Sequence, residues 1–184
     1  MLKRLQTRLA ARRRQTACAL ARLLRQQDGA AAVEFGLVAA PFLALLFAIM
    51  ETALIFFSGQ ALETAVADSA RLIMTGQAQG QGLTQTTFKN AVCARIYGLF
   101  DCQNGIYVDV QTFTSFSGIT MNSPLDVNGN FVPTQFNPGG PSDIVVVRLF
   151  YQWPVYASLL DKMGSGGKRL LVATAAFRNE PYGS

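Results

Sequence analysis

Residues 29–57 read Gly-Ala-Ala-Ala-Val-Glu-Phe-Gly-Leu-Val-Ala-Ala-Pro-Phe-Leu-Ala-Leu-Leu-Phe-Ala-Ile-Met-Glu-Thr-Ala-Leu-Ile-Phe-Phe. The apolar part, Phe35 to Phe57, is 23 residues long. A helix needs about 20 residues to cross the hydrocarbon core of a bilayer. The remaining chain is too small to enclose such a segment, so a membrane-spanning helix is predicted. Ordinary signal peptides have apolar regions of only about 7–15 residues with a small-x-small site close behind. The run here is longer, and such a site, Ala65-Val66-Ala67, lies well beyond it.

Charge gives the span a direction. Residues 1–28 carry Lys3, Arg4, Arg8, Arg12, Arg13, Arg14, Arg22 and Arg25 against Asp28, a net +7. The rest of the chain holds 8 bases and 10 acids, a net −2. Bases confined to one flank of a span follow the positive-inside pattern and place that flank in the cytoplasm. The overall charge of +5 is therefore not read as nucleic-acid binding. The chain after Phe57 is expected to be exported.

Two acids mark the apolar run. Glu34 stands at its mouth, five residues after Gly29, and Glu51 lies inside it. An acid near the bilayer centre costs about 2.5–3.5 kcal/mol on insertion scales, so each needs a purpose. For Glu51 the expected purpose is contact with another membrane helix. Pro41 lacks an amide hydrogen and crowds the carbonyl of Leu37, which predicts a kink, read equally as a tolerated membrane proline or as an assembly hinge. Beyond the span, Leu62, Val66, Ala70 and Ile73 recur at helical spacing, and Gly76 is placed to end the helix. Asp68 and Arg71 are spaced to pair weakly. From Ala30 to Thr75 the helix would measure about 69 Å at about 1.5 Å per residue.

The remaining chain reads as a small domain. Residues 77–87 are rich in Gly, Gln and Thr and look like a connection. Phe88, Val92, Ile96 and Leu99 predict a second helix over 87–99. The period then changes to two. Strands are expected at 106–113, 143–153 and 169–178. Between the first two lies a segment rich in Pro, Gly and Asn, read as an exposed excursion in which Asn128-Gly129 closes a small hairpin. The expected architecture is α+β. A long N-terminal helix, half transmembrane and half exported and amphipathic, packs against a small antiparallel sheet in a lollipop shape. The expected divisions are a basic cytoplasmic leader at 1–29, the long helix at 30–76 with its span at 35–57, and the exported domain at 77–184.

Catalytic readings are poor. The chain has no His, which excludes Ser-His-Asp and Cys-His catalysis and His-ligated zinc. Gly164-Ser165-Gly166-Gly167-Lys168 lacks the flanking residues of a phosphate-binding loop. Asp101, Asp109 and Asp126 are dispersed and read as solvated. Cys93 and Cys102 have eight residues between them. In an exported domain this spacing points to a disulfide, with a mixed Cys–Cys–carboxylate metal site as the minor alternative. Cys18 stays a thiol in the leader. No enzyme activity, cofactor or resident metal is expected.

The leader, Gly29 and Glu34 together resemble a type IV prepilin. More specifically, Gly29–Thr75, ending in Ser-Ala-Arg-Leu-Ile-Met-Thr-Gly-Gln-Ala at 69–78, resembles the TadE-like family. So do Cys93 and Cys102, the strand Val145-Val146-Val147-Arg148 with Tyr151-Gln152-Trp153-Pro154, and the ending Ala-Thr-Ala-Ala-Phe-Arg-Asn-Glu-Pro-Tyr at 173–182. The resemblance implies a pseudopilin, or minor pilin, of a tight-adherence (Tad, Flp-type) pilus system serving adhesion and secretion. It implies cleavage by a prepilin peptidase between Gly29 and Ala30, which leaves Glu34 as the fifth mature residue with Phe35 after it. Implied partners are the inner membrane, that peptidase, other pilins and pseudopilins, and the inner-membrane platform of the Tad machinery. The alternative is an uncleaved single-pass scaffold of the same machinery.

Overall fold

The computed structural model describes residues 28–96, 98, 101–155 and 167–182. Residues 1–27 of the leader, Cys18 among them, and Leu99 and Gly164–Gly166 of the loop resembling a phosphate cradle lie outside them. The described chain divides into two compact units, the first ending at Phe47 and the second beginning at Ala48. One helix, α1 (Asp28–Met74), runs through both.

In the first unit, α1 is exposed on every side apart from half-buried Ala39. Val33, Phe35, Leu37, Val38, Phe42, Leu43, Leu45, Leu46 and Phe47 all face outward. An apolar helix without a polar face cannot be a water-solvated surface helix; it calls for an apolar surround.

The second unit starts differently. From Glu51 onward a stripe of α1 is buried: Glu51, Ile55, Ser58, Leu62, Ala65, Val66, Ser69, Ala70 and Ile73. Steps of three and four keep these residues on one face. Gly76 ends the run in the left-handed region (φ 77°), and its N–H donates to the Ile73 carbonyl at 3.0 Å. A Cβ at Gly76 would collide with the Tyr182 ring. Gly76→Ala is therefore expected to destabilise the folded unit by at least about 1–2 kcal/mol from backbone strain alone, and a thermal melt of the detergent-solubilised protein measures it. Asp68 and Arg71 are both exposed and are not in ion-pair contact. The one ion pair among the described residues lies elsewhere.

A one-turn helix α2 (Gln77–Gly80) leads to α3 (Gln85–Cys93). Thr84 caps α3 reciprocally with Thr87: the Thr84 hydroxyl accepts from the Thr87 N–H, and the Thr84 N–H donates to the Thr87 hydroxyl. This box places the start two residues earlier than the periodicity suggests. The end also comes earlier, at Cys93 rather than at 99. Cys93 is joined there to Cys102, with 5.7 Å between their Cα atoms. The disulfide draws the chain into α4 (Cys102–Gly105). Cys93→Ser is expected to cost about 2–3 kcal/mol, as for opening a ring of this size. An unchanged melt, or a free Cys93 thiol in protein from the membrane, would count against it.

Strands β1 (Ile106–Phe113), β2 (Ile144–Pro154) and β3 (Lys168–Arg178) form one antiparallel sheet in the order β1-β2-β3. Ile106, Val108, Val110, Val145, Val147, Leu149, Tyr151, Trp153, Leu171 and Ala173 join the stripe of α1 and Phe88 and Val92 of α3 in one core. The fold is α+β, a long apolar helix with a three-stranded antiparallel sheet.

The segment between β1 and β2 is largely exposed, and none of residues 114–143 is fully buried. It covers the face of the sheet opposite the core. Phe131 stacks on Tyr107 with ring centroids 3.9 Å apart. The Gln152 side chain donates to the Gly129 carbonyl at 2.8 Å. Within the segment a small turn does form at Asn128-Gly129. Leu125 bridges Phe131, and Gly129 takes φ 79°.

Beneath this cover lies a feature that sequence reading placed in solvent. Asp109 is only 3% exposed. Its Oδ2 accepts from Arg148 Nη2 at 2.6 Å and Nε at 3.1 Å. Its Oδ1 accepts from the Gln135 N–H at 2.9 Å. Arg148 Nη1 donates to the Asn122 carbonyl at 3.1 Å. Asp109 and Arg148 are direct neighbours across β1 and β2, so one pair ties both strands to the covering segment.

Asp126 organises the turn at the surface. Its Oδ1 accepts from the N–H groups of Asn130 and Asn128, each at 2.8 Å. These donors, Asn130 first, hold its carboxyl below the ordinary aspartate value. The stability it contributes is present above the unfolded-state pKa of about 3.9. It is lost as pH falls through the lower folded value. An NMR titration should show the Asp126 carboxyl protonating below a solvated aspartate in the same sample.

Candidate functional site

The candidate site is the start of α1. The described part of the helix opens at Asp28 and places the Gly29–Ala30 peptide bond within helical backbone. Gly29 and Ala30 are exposed, and a Cβ built at Gly29 meets nothing within 4 Å. Nothing in the described structure shields this bond. Glu34 lies four residues after Ala30, on the same helix face and within reach of a group at the Ala30 nitrogen. Glu34 is exposed, and Phe35 beside it is 75% exposed.

Pro41 is exposed within α1, and the helix continues through it. Glu51 is a different case. It is 8% exposed and belongs to the second unit, where it opens the buried stripe. Little of its surface is accessible to another helix. Along α1, Glu34 and Glu51 are separated by about 25 Å at about 1.5 Å per residue, so the two acids do not form one site. Cys93 and Cys102 sit in the second unit as a crosslink.

The burial pattern also bears on the span. The 18-residue window of highest hydropathy in α1 has none of its residues buried. The stripe from Glu51 onward shows that the last turns of the expected 35–57 span carry one face packed in the folded unit. Hydropathy averages over the helix and does not see which of its faces the folded unit covers at Glu51, Ile55 and Ser58.

The clefts of the folded unit include two lined by described residues. The larger, of about 210 Å³, is lined by Gln85, Thr86, Lys89, Ile106, Tyr107, Val108 and Thr134. Its one amine, Lys89, has its pKa lowered by partial burial, against the opposing pull of Asp101, and donates to the Gln103 carbonyl at 2.8 Å. The smaller, of about 80 Å³, surrounds the Asp109–Arg148 pair, whose hydrogen bonds are already used. Among the described residues no group of three or more Cys, Asp or Glu could hold a metal ion.

Comparison with known proteins adds one finding. Residues 29–71 match the family model described as TadE-like protein, so this segment is similar to that family. The match opens at Gly29 and includes Glu34, Phe35, Pro41, Glu51 and most of the buried stripe. No curated protein and no solved structure matches the chain.

Proposed function

We propose that this chain is a minor pilin, or pseudopilin, of a Tad-type pilus, made with a basic leader that a prepilin peptidase removes between Gly29 and Ala30. The observation that carries the proposal is the TadE-like segment. It begins at Gly29, the residue ahead of the proposed cut, and the structure leaves that bond exposed. The role is structural: anchoring in the inner membrane with the folded unit exported, then joining other pilins and the assembly platform.

The lipid-embedded part is proposed as residues 31–50, several residues earlier than hydropathy suggests. Its 20 residues span about 30 Å at about 1.5 Å per residue, matching the hydrocarbon thickness. Glu51 is then withdrawn from lipid into the folded unit. Glu34 is instead drawn inside the hydrocarbon, where a carboxylate is costly. Cleavage supplies the compensating charge, a new ammonium at Ala30 four residues away. In a low-dielectric helix bundle that ammonium, on the same chain or on a neighbour, pairs with Glu34 and sets the axial register of the subunit.

Scanning single cysteines through 29–57 in native membranes tests the span. The proposal expects protection from a water-soluble maleimide from about residue 31 to about residue 50, with reactivity returning at Leu54, Phe56 and Phe57. Continuous protection through Phe57 would restore the later span.

A further inference from the structure

The two edges of the sheet are treated differently. At the β1 edge, the Val110 N–H donates to the Gln135 carbonyl at 2.8 Å and the Val110 carbonyl accepts from Asn137 at 2.9 Å. The neighbouring Val108 carbonyl accepts from the Gln85 side chain at 2.8 Å. That edge is closed by the chain itself. β3 forms the other edge and has β2 as its sole strand neighbour.

Which peptide groups of β3 face outward follows from its register. The flanking positions hydrogen-bond directly across the pair: the Val155 N–H to the Gly167 carbonyl and the Asn179 N–H to the Asp143 carbonyl. Bonded and non-bonded pairs alternate along an antiparallel ladder. Lys168, Leu170, Val172, Thr174, Ala176 and Arg178 therefore turn their N–H and C=O groups away from β2. Among the described residues, no hydrogen bond to these groups closes the outer edge. The segment covering the back of β1 and β2 does not shield β3 from solvent, and Val172 is 48% exposed.

Long, regular, apolar edges template pairing with another chain. The charge of this edge selects among partners. β3 carries Lys168, Arg169 and Arg178 and no acid, and none of these bases makes an ion pair among the described residues. Antiparallel pairing of β3 with a second copy over its whole length would set Lys168 against Arg178 at both ends. Like charges directly opposite are destabilising. We infer that the β3 edge receives an extended segment of a different protein chain, uncharged in its middle and acidic at both ends, which adds to the sheet as a fourth strand. The main chain would supply affinity and the terminal charges would supply choice. This inference rests on the sheet alone and holds whether or not the leader is cleaved.

The test uses the full chain in detergent micelles and two synthetic strand peptides of about nine residues with the same alternating Thr/Val middle. One ends in Glu at both termini and the other in Lys. The acidic-ended peptide is expected to bind at least about tenfold more tightly and to slow hydrogen exchange at the Val172, Thr174 and Ala176 amides. Val172→Pro removes only an outward N–H, which an edge strand tolerates, and should abolish that binding. A paired reversal, Lys168→Glu with Arg178→Glu, should exchange the preference of the two peptides. Edge amides already protected in the free chain, equal binding of both peptides, or dimerisation through β3 detected by Thr174→Cys crosslinking would each overturn the inference.

Discussion

Replacing Asp109 with Ala is expected to destabilise the folded unit by about 3–5 kcal/mol, the range for breaking a buried ion pair and leaving one charge unpartnered. Arg148 would remain in the sheet at 8% exposure with only the Asn122 carbonyl still accepting from it. The Gln135 N–H would lose its acceptor as well. Because Asp109 touches β1, β2 and the covering segment, the loss should appear as a lower melting midpoint together with faster proteolysis between residues 114 and 143. The double replacement Asp109→Leu with Arg148→Met should recover much of the stability, because removing both charges also removes the cost of burying them. A single variant that melts like the parent would show that the pair holds nothing together.

The second large effect is expected at Glu34. Glu34→Ala should leave insertion intact, because it makes the span more apolar. Assembly should fail. Losing a charge pair within a helix bundle costs about 3–5 kcal/mol, and about 1.4 kcal/mol is a factor of ten in an equilibrium. Incorporation into sheared pili should therefore drop more than a hundredfold while the membrane pool stays constant. Normal incorporation would remove the pairing of Glu34 with the Ala30 ammonium from the account. The exposed position of Glu34 on α1 makes a purely structural effect on the folded unit a poor competing explanation.

The parts legible in the sequence are those set by period and length. The run from Phe35, the helical spacing of Leu62, Val66, Ala70 and Ile73, and the alternation in the strands each state their element locally. Gly76 was readable as a stop because a helix end accommodates a left-handed residue. What pattern could not supply were contacts made across long sequence distances. Asp109 looks solvated in a strand whose other face is apolar. It is buried because Gln135 and Asn122 are brought over it by a segment that local composition marks only as turns. The second helix stops at Cys93 where its apolar stripe would carry on. The Thr84–Thr87 box sets its start, and the crosslink to Cys102 fixes where the chain must go next.

At the candidate site the same division applies. Gly29, Ala30, Glu34 and Phe35 stand out by resemblance to a prepilin, and the chemistry proposed for them is local, a bond and a carboxylate on one helix face. Glu51 does not stand out in this way. Hydropathy counts it as a residue of the span, whereas the folded unit buries it as the first residue of a packing stripe. On the proposed reading, that burial shifts the lipid-embedded segment toward the N-terminus and places Glu34 inside it.

The most direct test of the central claim is the intact mass and N-terminal sequence of the protein from its native host, with and without the prepilin peptidase. The account predicts a chain beginning at Ala30 when the peptidase is present and at Met1 when it is absent. A chain beginning at Met1 in both strains would contradict it and leave an uncleaved single-pass scaffold in its place.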